Sequence, residues 1–282
     1  MKIAVLMACH NRRQKTLACL DALFSNRLPP GVVLEVFLTD DGSTDGTSAA
    51  VSAKHPHVHI VSGDGSLFWN GGMHKAFGAA LRGKFDAFLW LNDDTILYPT
   101  AIFAMLKALR DLKNTQGRDV IVVGSTQDAD SGELTYGGVY RPARWRPMAF
   151  RMVMPTEVPV ECESMWGNCV LIPDSIARAV GNLDPRFTHS MGDVDYGLRA
   201  RNVGYGIWVM PGYAGTCSMN SPAGTYEDSR LSVGQRLGKM IQAKGMPIQS
   251  WRVLTQRHAG PFWFLFWVWP YLKVIATSIV RR

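Results

Sequence analysis

Residues 85–95 read "FDAFLWLNDDT", an apolar run that ends in two adjacent carboxylates, Asp93 and Asp94. A run that is apolar throughout, rather than alternating, suits a strand buried on both faces, as in a parallel sheet covered by helices. Two neighbouring carboxylates at the end of such a strand repel each other and resist desolvation. Their position calls for a counter-charge.

The pattern repeats upstream. "IAVLMA" at 3–8 runs into "CHNR", "VVLEVFLTD" at 32–40 into "DGSTDGT", and "HVHIVSG" at 57–63 into "DGS". A further strand is predicted at 120–126, "VIVVGST". Helical patterns lie between these runs, through about residue 25, over 46–54, over 73–83 and over 98–112. "GDGSLFWNGG" at 63–72 reads as a glycine-rich loop. Alternating strands and helices predict right-handed crossovers and a mostly parallel sheet. Ligands of such sheets gather outside the carboxyl ends of the strands. Those ends are polar here, and two of them are acidic.

Beyond residue 126 the alternation weakens. "RPARWRPMAFRM" at 141–152 reads as a basic loop, "ESMWGNCVLIP" and "YGIWVMPGYAGTC" as strands, and "FTHSMGDVDYGLRARNVG" as a turn leading into a short helix. Asp193 and Asp195 open that helix, and Arg199 and Arg201 follow on it. The spacing suits a general base, and equally a helix cap with an Asp–Arg pair. Singly, each aspartate is most simply a cap or turn residue. Gathered at neighbouring strand ends, they favour a pocket for a hard cation and a nucleotide, since such cations take oxygen ligands and substrate phosphates.

Bulk composition bounds the class. With 282 residues, 47% hydrophobic and 19% charged, the chain can build a full core. Five scattered cysteines with no C-x-x-C pair argue against a disulfide framework or a zinc site and for a reducing compartment. The first apolar stretch is too short for a signal-peptide core. The net charge of +7 is uneven: residues 229–282 hold nine Lys or Arg and no Asp or Glu. Any anionic partner is expected there, and nothing points to nucleic acid.

The set "HNR", "TDDGSTDGT", "LNDDT" and "GDVDYGLR", in this order and spacing, resembles family 2 glycosyltransferases of GT-A fold over about residues 1–220. The "SLFWNGGM" loop and the "RHAGPFW…PYLK" tail resemble bacterial members from surface-polysaccharide synthesis. The resemblance implies an α/β GT-A catalytic domain at 1–225, with a donor half at about 1–126 and an acceptor half at 127–225, and a basic, Trp-rich helical segment at 226–282. It implies an inverting, metal-dependent transferase that uses a UDP- or dTDP-sugar and extends a lipid-linked oligosaccharide in O-antigen, capsule or exopolysaccharide synthesis. Asp94, with Asp93, would hold Mg2+ or Mn2+ on the diphosphate. Asn11, Arg12, Asp40, Asp41, Asn70 and Asp93 would hold the nucleotide-sugar. Asp193 would be the catalytic base, and Trp166, Gly167, Asn168 and Asp195 would line the acceptor side. Two positions depart from the family pattern. Gly192 stands where the family has Glu, and Cys217 lies where many members have a metal-binding His.

The tail "GPFWFLFWVWPYLKVIATSIV" at 260–280 holds one charge, Lys273. A membrane span needs about 20 apolar residues. Pro270, Lys273 and the three tryptophans Trp263, Trp267 and Trp269 favour instead a helix lying in an anionic membrane surface. The resemblance implies that this surface is the cytoplasmic face of a bacterial inner membrane. Packing on the catalytic domain or in a homodimer is the alternative. Two other functions remain open: a sugar nucleotidyltransferase, whose glycine-rich signature after the first strand is absent here, and a non-catalytic nucleotide- or glycan-binding module.

Overall fold

The computed structural model describes residues 1–279. The chain runs β1 (Lys2–Cys9), α1 (Arg13–Phe24), β2 (Val33–Asp40), α2 (Thr47–Lys54), β3 (His59–Ser62), α3 (Phe68–Ala80) and β4 (Ala87–Leu91). It continues through β5 (Ile96–Leu97), α4 (Ala101–Gln116), β6 (Ile121–Gln127), β7 (Leu134–Tyr136), β8 (Gly138–Tyr140), β9 (Arg151–Met152), β10 (Val160–Cys162), β11 (Ser164–Met165) and β12 (Cys169–Pro173). Then come α5 (Asp174–Val180), α6 (Gly192–Asn202), β13 (Ile207–Thr216), α7 (Val233–Met240), α8 (Ile248–His258) and α9 (Trp263–Ile279).

The main sheet has the order β10–β13–β6–β12–β4–β1–β2–β3, with β5 on β13 and β7 on β6. Its β4–β1–β2–β3 half is parallel, and β12 enters antiparallel between β4 and β6. The register pairs Cys9 with Asp40 and Asp40 with Ser62. The polar ends of these strands are therefore level.

Both faces of the sheet are covered. Along β1, Ile3, Val5, Met7 and Cys9 join one apolar layer with α1, α2 and α4, while Ala4 and Leu6 join the other with α3, α5 and α6. In β4, Leu89 and Leu91 go one way, Phe88 and Trp90 the other. The period of two is a strand's, and burial on both sides explains the unbroken apolar run.

The structure corrects the sequence reading in three places. Helix α3 begins at Phe68, so much of the expected glycine-rich loop is helical. Its Gly72 is there for close packing, since a Cβ would lie 2.8 Å from the Ala8 Cβ on β1. "ESMWGNCVLIP" is two strands in different sheets, β11 pairing with β8 and β12 with β4, with Trp166–Asn168 turning between them. Residues 127–162 hold short strands that were too brief to show periodicity. Among the described residues no helix is long and apolar enough to cross a membrane. Arg281 and Arg282 of the basic tail lie outside the described residues.

Candidate active site

The level strand ends bring Asn11, Arg12, Asp40, Asp41, Asp93 and Asp94 to one edge. Arg12 supplies the counter-charge that "LNDDT" demanded. Its Nη1 lies 2.8 Å from Asp93 Oδ1 and 2.9 Å from Asp94 Oδ2. Lys15, one turn along α1, stands 4.0 Å from Asp94 Oδ2. The two aspartates differ: the Asp93 side chain is 5% exposed and that of Asp94 16%. Burial raises the Asp93 carboxyl to about pH 6 against the pull of Arg12.

The neighbouring loops are held by their own polar groups. Asn11 adopts a left-handed φ of 52°, which Asn tolerates, and its Oδ1 accepts the Thr44 N–H at 2.8 Å. Asp40 accepts the Ser43 N–H at 2.9 Å and the Ser48 hydroxyl. Asp41 accepts the N–H groups of Gly65 and Phe68 at 2.8 and 2.9 Å. Gly63 lets this loop close, since a Cβ there would lie 2.6 Å from Asp41 Oδ1.

The other wall of the cleft carries Asp193. It is half-buried in the first turn of α6. Its two oxygens accept the N–H groups of Gly167 and Val194 at 2.9 and 2.8 Å. Desolvation raises its pKa despite these bonds. A side chain at position 167 would strike Trp69, whose ring carbons would lie 2.6–2.7 Å from a Cβ. A chain of bonds joins the two walls: Asn92, beside Asp93, donates its N–H to the Asn168 carbonyl at 2.9 Å, and its Oδ1 accepts Trp69 Nε1 at 2.7 Å. Trp166 is half-buried, edge-on to Tyr136.

Two expected site residues lie elsewhere. Asn70 is fully buried, and its Nδ2 donates to the carbonyls of Asp184 and Phe187 at 2.9 and 2.8 Å. It braces the turn before α6 rather than facing a donor. Asp195 is fully buried behind α6 against Arg199, Arg257 and His258, away from an acceptor. The same packing explains Gly192, since a Cβ there would lie 1.8 Å from Asn70 Oδ1. Lys15 and Trp69 were missed. Lys15 had a signal, three residues after Arg12 and so on the same face as the helix begins.

The donors present limit what metal the site could hold. Among the described residues, no group of three His, Cys, Asp or Glu could hold a metal. Cys217 Sγ is 3.5 Å from Asp94 Oδ1, but burial pushes its thiol to about 12, so it stays protonated and unsuited to a hard cation. One largely buried edge carboxylate, Asp94, with Asp93 behind it, would suit a cation held mainly by substrate phosphates and water.

Comparisons with known proteins bear on the family and the fold. The family described as Glycosyl transferase family 2 matches residues 4–178. The N-acetylglucosaminyl-diphospho-decaprenol L-rhamnosyltransferase of Mycobacterium tuberculosis, in two strains, is 26% identical over 199 residues. That alignment spans 61% of this chain and 62% of the relative's length. Among solved structures, S. aureus TarS 1-349 in complex with UDP aligns with a TM-score of 0.55 and 13% identity, covering 91% of this chain and 70% of that one. A second TarS structure covers 91% of this chain and 42% of its own, with the same TM-score of 0.55. At such identity the likeness is one of fold.

Proposed function

Because the chain belongs to glycosyl transferase family 2, we propose that it moves a sugar, with inversion, from a UDP- or dTDP-sugar to a lipid-linked glycan in bacterial surface-polysaccharide synthesis. The observation that carries this is the pair of walls: the Asp93–Asp94 edge on one side, and on the other Asp193, aimed by two N–H groups.

Asp193 takes the proton of an acceptor hydroxyl as its oxygen attacks the anomeric carbon, and the nucleoside diphosphate leaves with the electrons of the C–O bond. Its raised pKa makes it a stronger base than an ordinary Asp. Asp94, with Asp93, would hold Mg2+ or Mn2+, which when bound offsets charge on the leaving diphosphate. Arg12 and Lys15 hold this edge neutral without donor and remain beside the diphosphate when it arrives. Asn11, Asp40 and Asp41 shape the nucleotide side through their loops.

The acceptor class follows from two supports. The mycobacterial relative's name specifies a diphospho-decaprenol acceptor. Helix α9 exposes Phe264, Leu265, Trp269 and Leu272, between 48% and 63% each, beside a basic segment free of Asp and Glu, which suits a peripheral site on the cytoplasmic face of an anionic membrane.

A screen of nucleotide-sugars by calorimetry with Mg2+ or Mn2+, then transfer to a polyprenyl-diphosphate-linked sugar, tests the reading. One donor should bind tightly only with metal, and Asp94→Ala should reduce its affinity to the level seen in EDTA. Donor affinity unchanged in Asp94→Ala would remove Asp94 from the site, and no transfer from any donor would refute the acceptor.

A further inference from the structure

Helix α6 turns two carboxylates in opposite directions. Residues two apart on a helix point about 200° apart. Asp193 meets Gly167 in the cleft, and Asp195 points into the interior. There Asp195 meets Arg199 Nε at 2.8 Å from its own helix. From α8, Arg257 Nη1 lies 2.9 and 3.0 Å from its oxygens and His258 Nε2 at 2.9 Å. The other arm of the Arg257 fork donates to Asp184 Oδ2 at 2.5 Å. One planar guanidinium thus ties both ends of segment 184–195, a geometry a point-charge ammonium cannot reproduce.

That segment needs tying. Met191, immediately before α6, has a φ of 77°, a backbone conformation unfavourable for a bulky residue that persists only where the surroundings fix it. Asn70 grips the segment from α3, through the carbonyls of Asp184 and Phe187. From the tail, Ser250 of α8 adds a bond to the Arg186 carbonyl at 3.0 Å. Phe187 packs with Trp251, Val253 and Leu254 of α8, and Met191 lies against the same cluster. Helix α8 begins 70 residues after the stretch matched by the family, at Ile248 against 178.

We propose that Arg257 is a positioning residue: by bridging Asp184 and Asp195 it holds the strained turn that aims Asp193, so that the C-terminal segment completes the catalytic wall. This rests on the reading of Asp193 as the base. A merely structural role would give a loss of stability only. A positioning role makes a further demand, that the base be misplaced while the donor edge, on other elements, stays intact.

The test compares Arg257→Met, Arg257→Lys and Leu109→Ala in the full chain. Leu109→Ala loosens the apolar layer under α4, on the other face of the sheet from α6, without touching segment 184–195. At a temperature well below every melting point, Arg257→Met should lower kcat by tenfold or more with donor KM within twofold. Arg257→Lys should recover part of that loss, and Leu109→Ala should keep wild-type kcat. Amide hydrogen exchange at 187–195 should rise at least tenfold in Arg257→Met and little in Leu109→Ala. Equal exchange and equal kcat in the two variants would overturn the proposal, as would a parallel rise in donor KM. If Arg257→Met does not fold, Asp184→Asn, which cuts one arm of the fork, takes its place with the same outcomes. Exchange needs no turnover. A wild type inactive with every donor would therefore defeat the reading of function, and exchange alone would still decide the clamp.

Discussion

The two acidic walls of the cleft are neutralised in different ways. Asp93 and Asp94 share the Arg12 guanidinium, which is itself about a third exposed and sits at the mouth of the site. Asp184 and Asp195 share that of Arg257, which is little less exposed, but here Asp195 itself is fully buried, with His258 and Arg199 in support. Burial opposes ionisation of Asp195, but His258, Arg257 and Arg199 outweigh it and hold its carboxyl below the ordinary range. On the proposed function the first arrangement is exchangeable, an arriving cation and diphosphate replacing the arginine on Asp94. The second is permanent, because a buried carboxylate stripped of partners is costly by several kcal/mol. On that proposal one wall binds and the other aims.

The largest effect should come from the residue that is aimed. Asp193→Asn keeps the size and the N–H acceptor at Oδ1 but cannot take a proton. Transfer should fall by about 10²–10⁴-fold, the usual weight of general-base catalysis. Donor affinity by calorimetry should change by less than twofold, because the donor edge lies on other elements. The raised pKa gives a second reading with a definite sign. The base works only unprotonated, so kcat/KM should fall with decreasing pH at a midpoint above that of an ordinary Asp. A loss of donor binding equal to the loss of turnover would break the division between the walls.

The division also explains what the sequence disclosed. The binding wall was legible because each acidic pair ends a buried strand, and a buried apolar run is visible in one dimension. Arg12 and Asp93 are 81 positions apart, yet strand order alone brings them together. The aiming wall was less legible. Asn70 and Asp195 sit beside motif residues, and a polar residue there reads the same whether it faces a ligand or the interior. Their partners at Asp184 and Arg257 lie 114 and 62 positions away, joined through helices whose orientation no spacing reveals. Gly192 looked like a lost acidic contact. It is a steric consequence of Asn70.

That pairing gives the next prediction. Gly192→Glu should destabilise the protein by about 1–3 kcal/mol, the usual cost of overpacking a full site, since its Cβ has 1.8 Å to Asn70 Oδ1. Asn70→Ala alone should also destabilise, because the carbonyls of Asp184 and Phe187 lose their donor. The double variant should be less damaging than the sum, a coupling readable in a denaturant double-mutant cycle. Strict additivity would mean that the turn moves freely and that the clamp from α3 is not rigid.

The smallest effect sharpens the binding wall. Burial lifts Asp93 in the folded state to a pKa of about 6, against the 3.8 of an ordinary Asp. Between those values the folded state holds more protons than the unfolded one, so stability falls as pH rises and the full cost is present above about pH 6. Asp93→Asn removes that cost together with one bond to Arg12, which keeps Asp94 as a partner. A shift of this size corresponds to roughly 3 kcal/mol, and the lost ion pair offsets part of it. The variant should therefore gain about 1–2 kcal/mol at pH 7.5. The gain should vanish at pH 4, where Asp93 is largely protonated and resembles Asn. Turnover should drop at pH 7.5. A gain independent of pH would mean that Asp93 is not strained by burial, and the two walls would then differ only in which arginine they use.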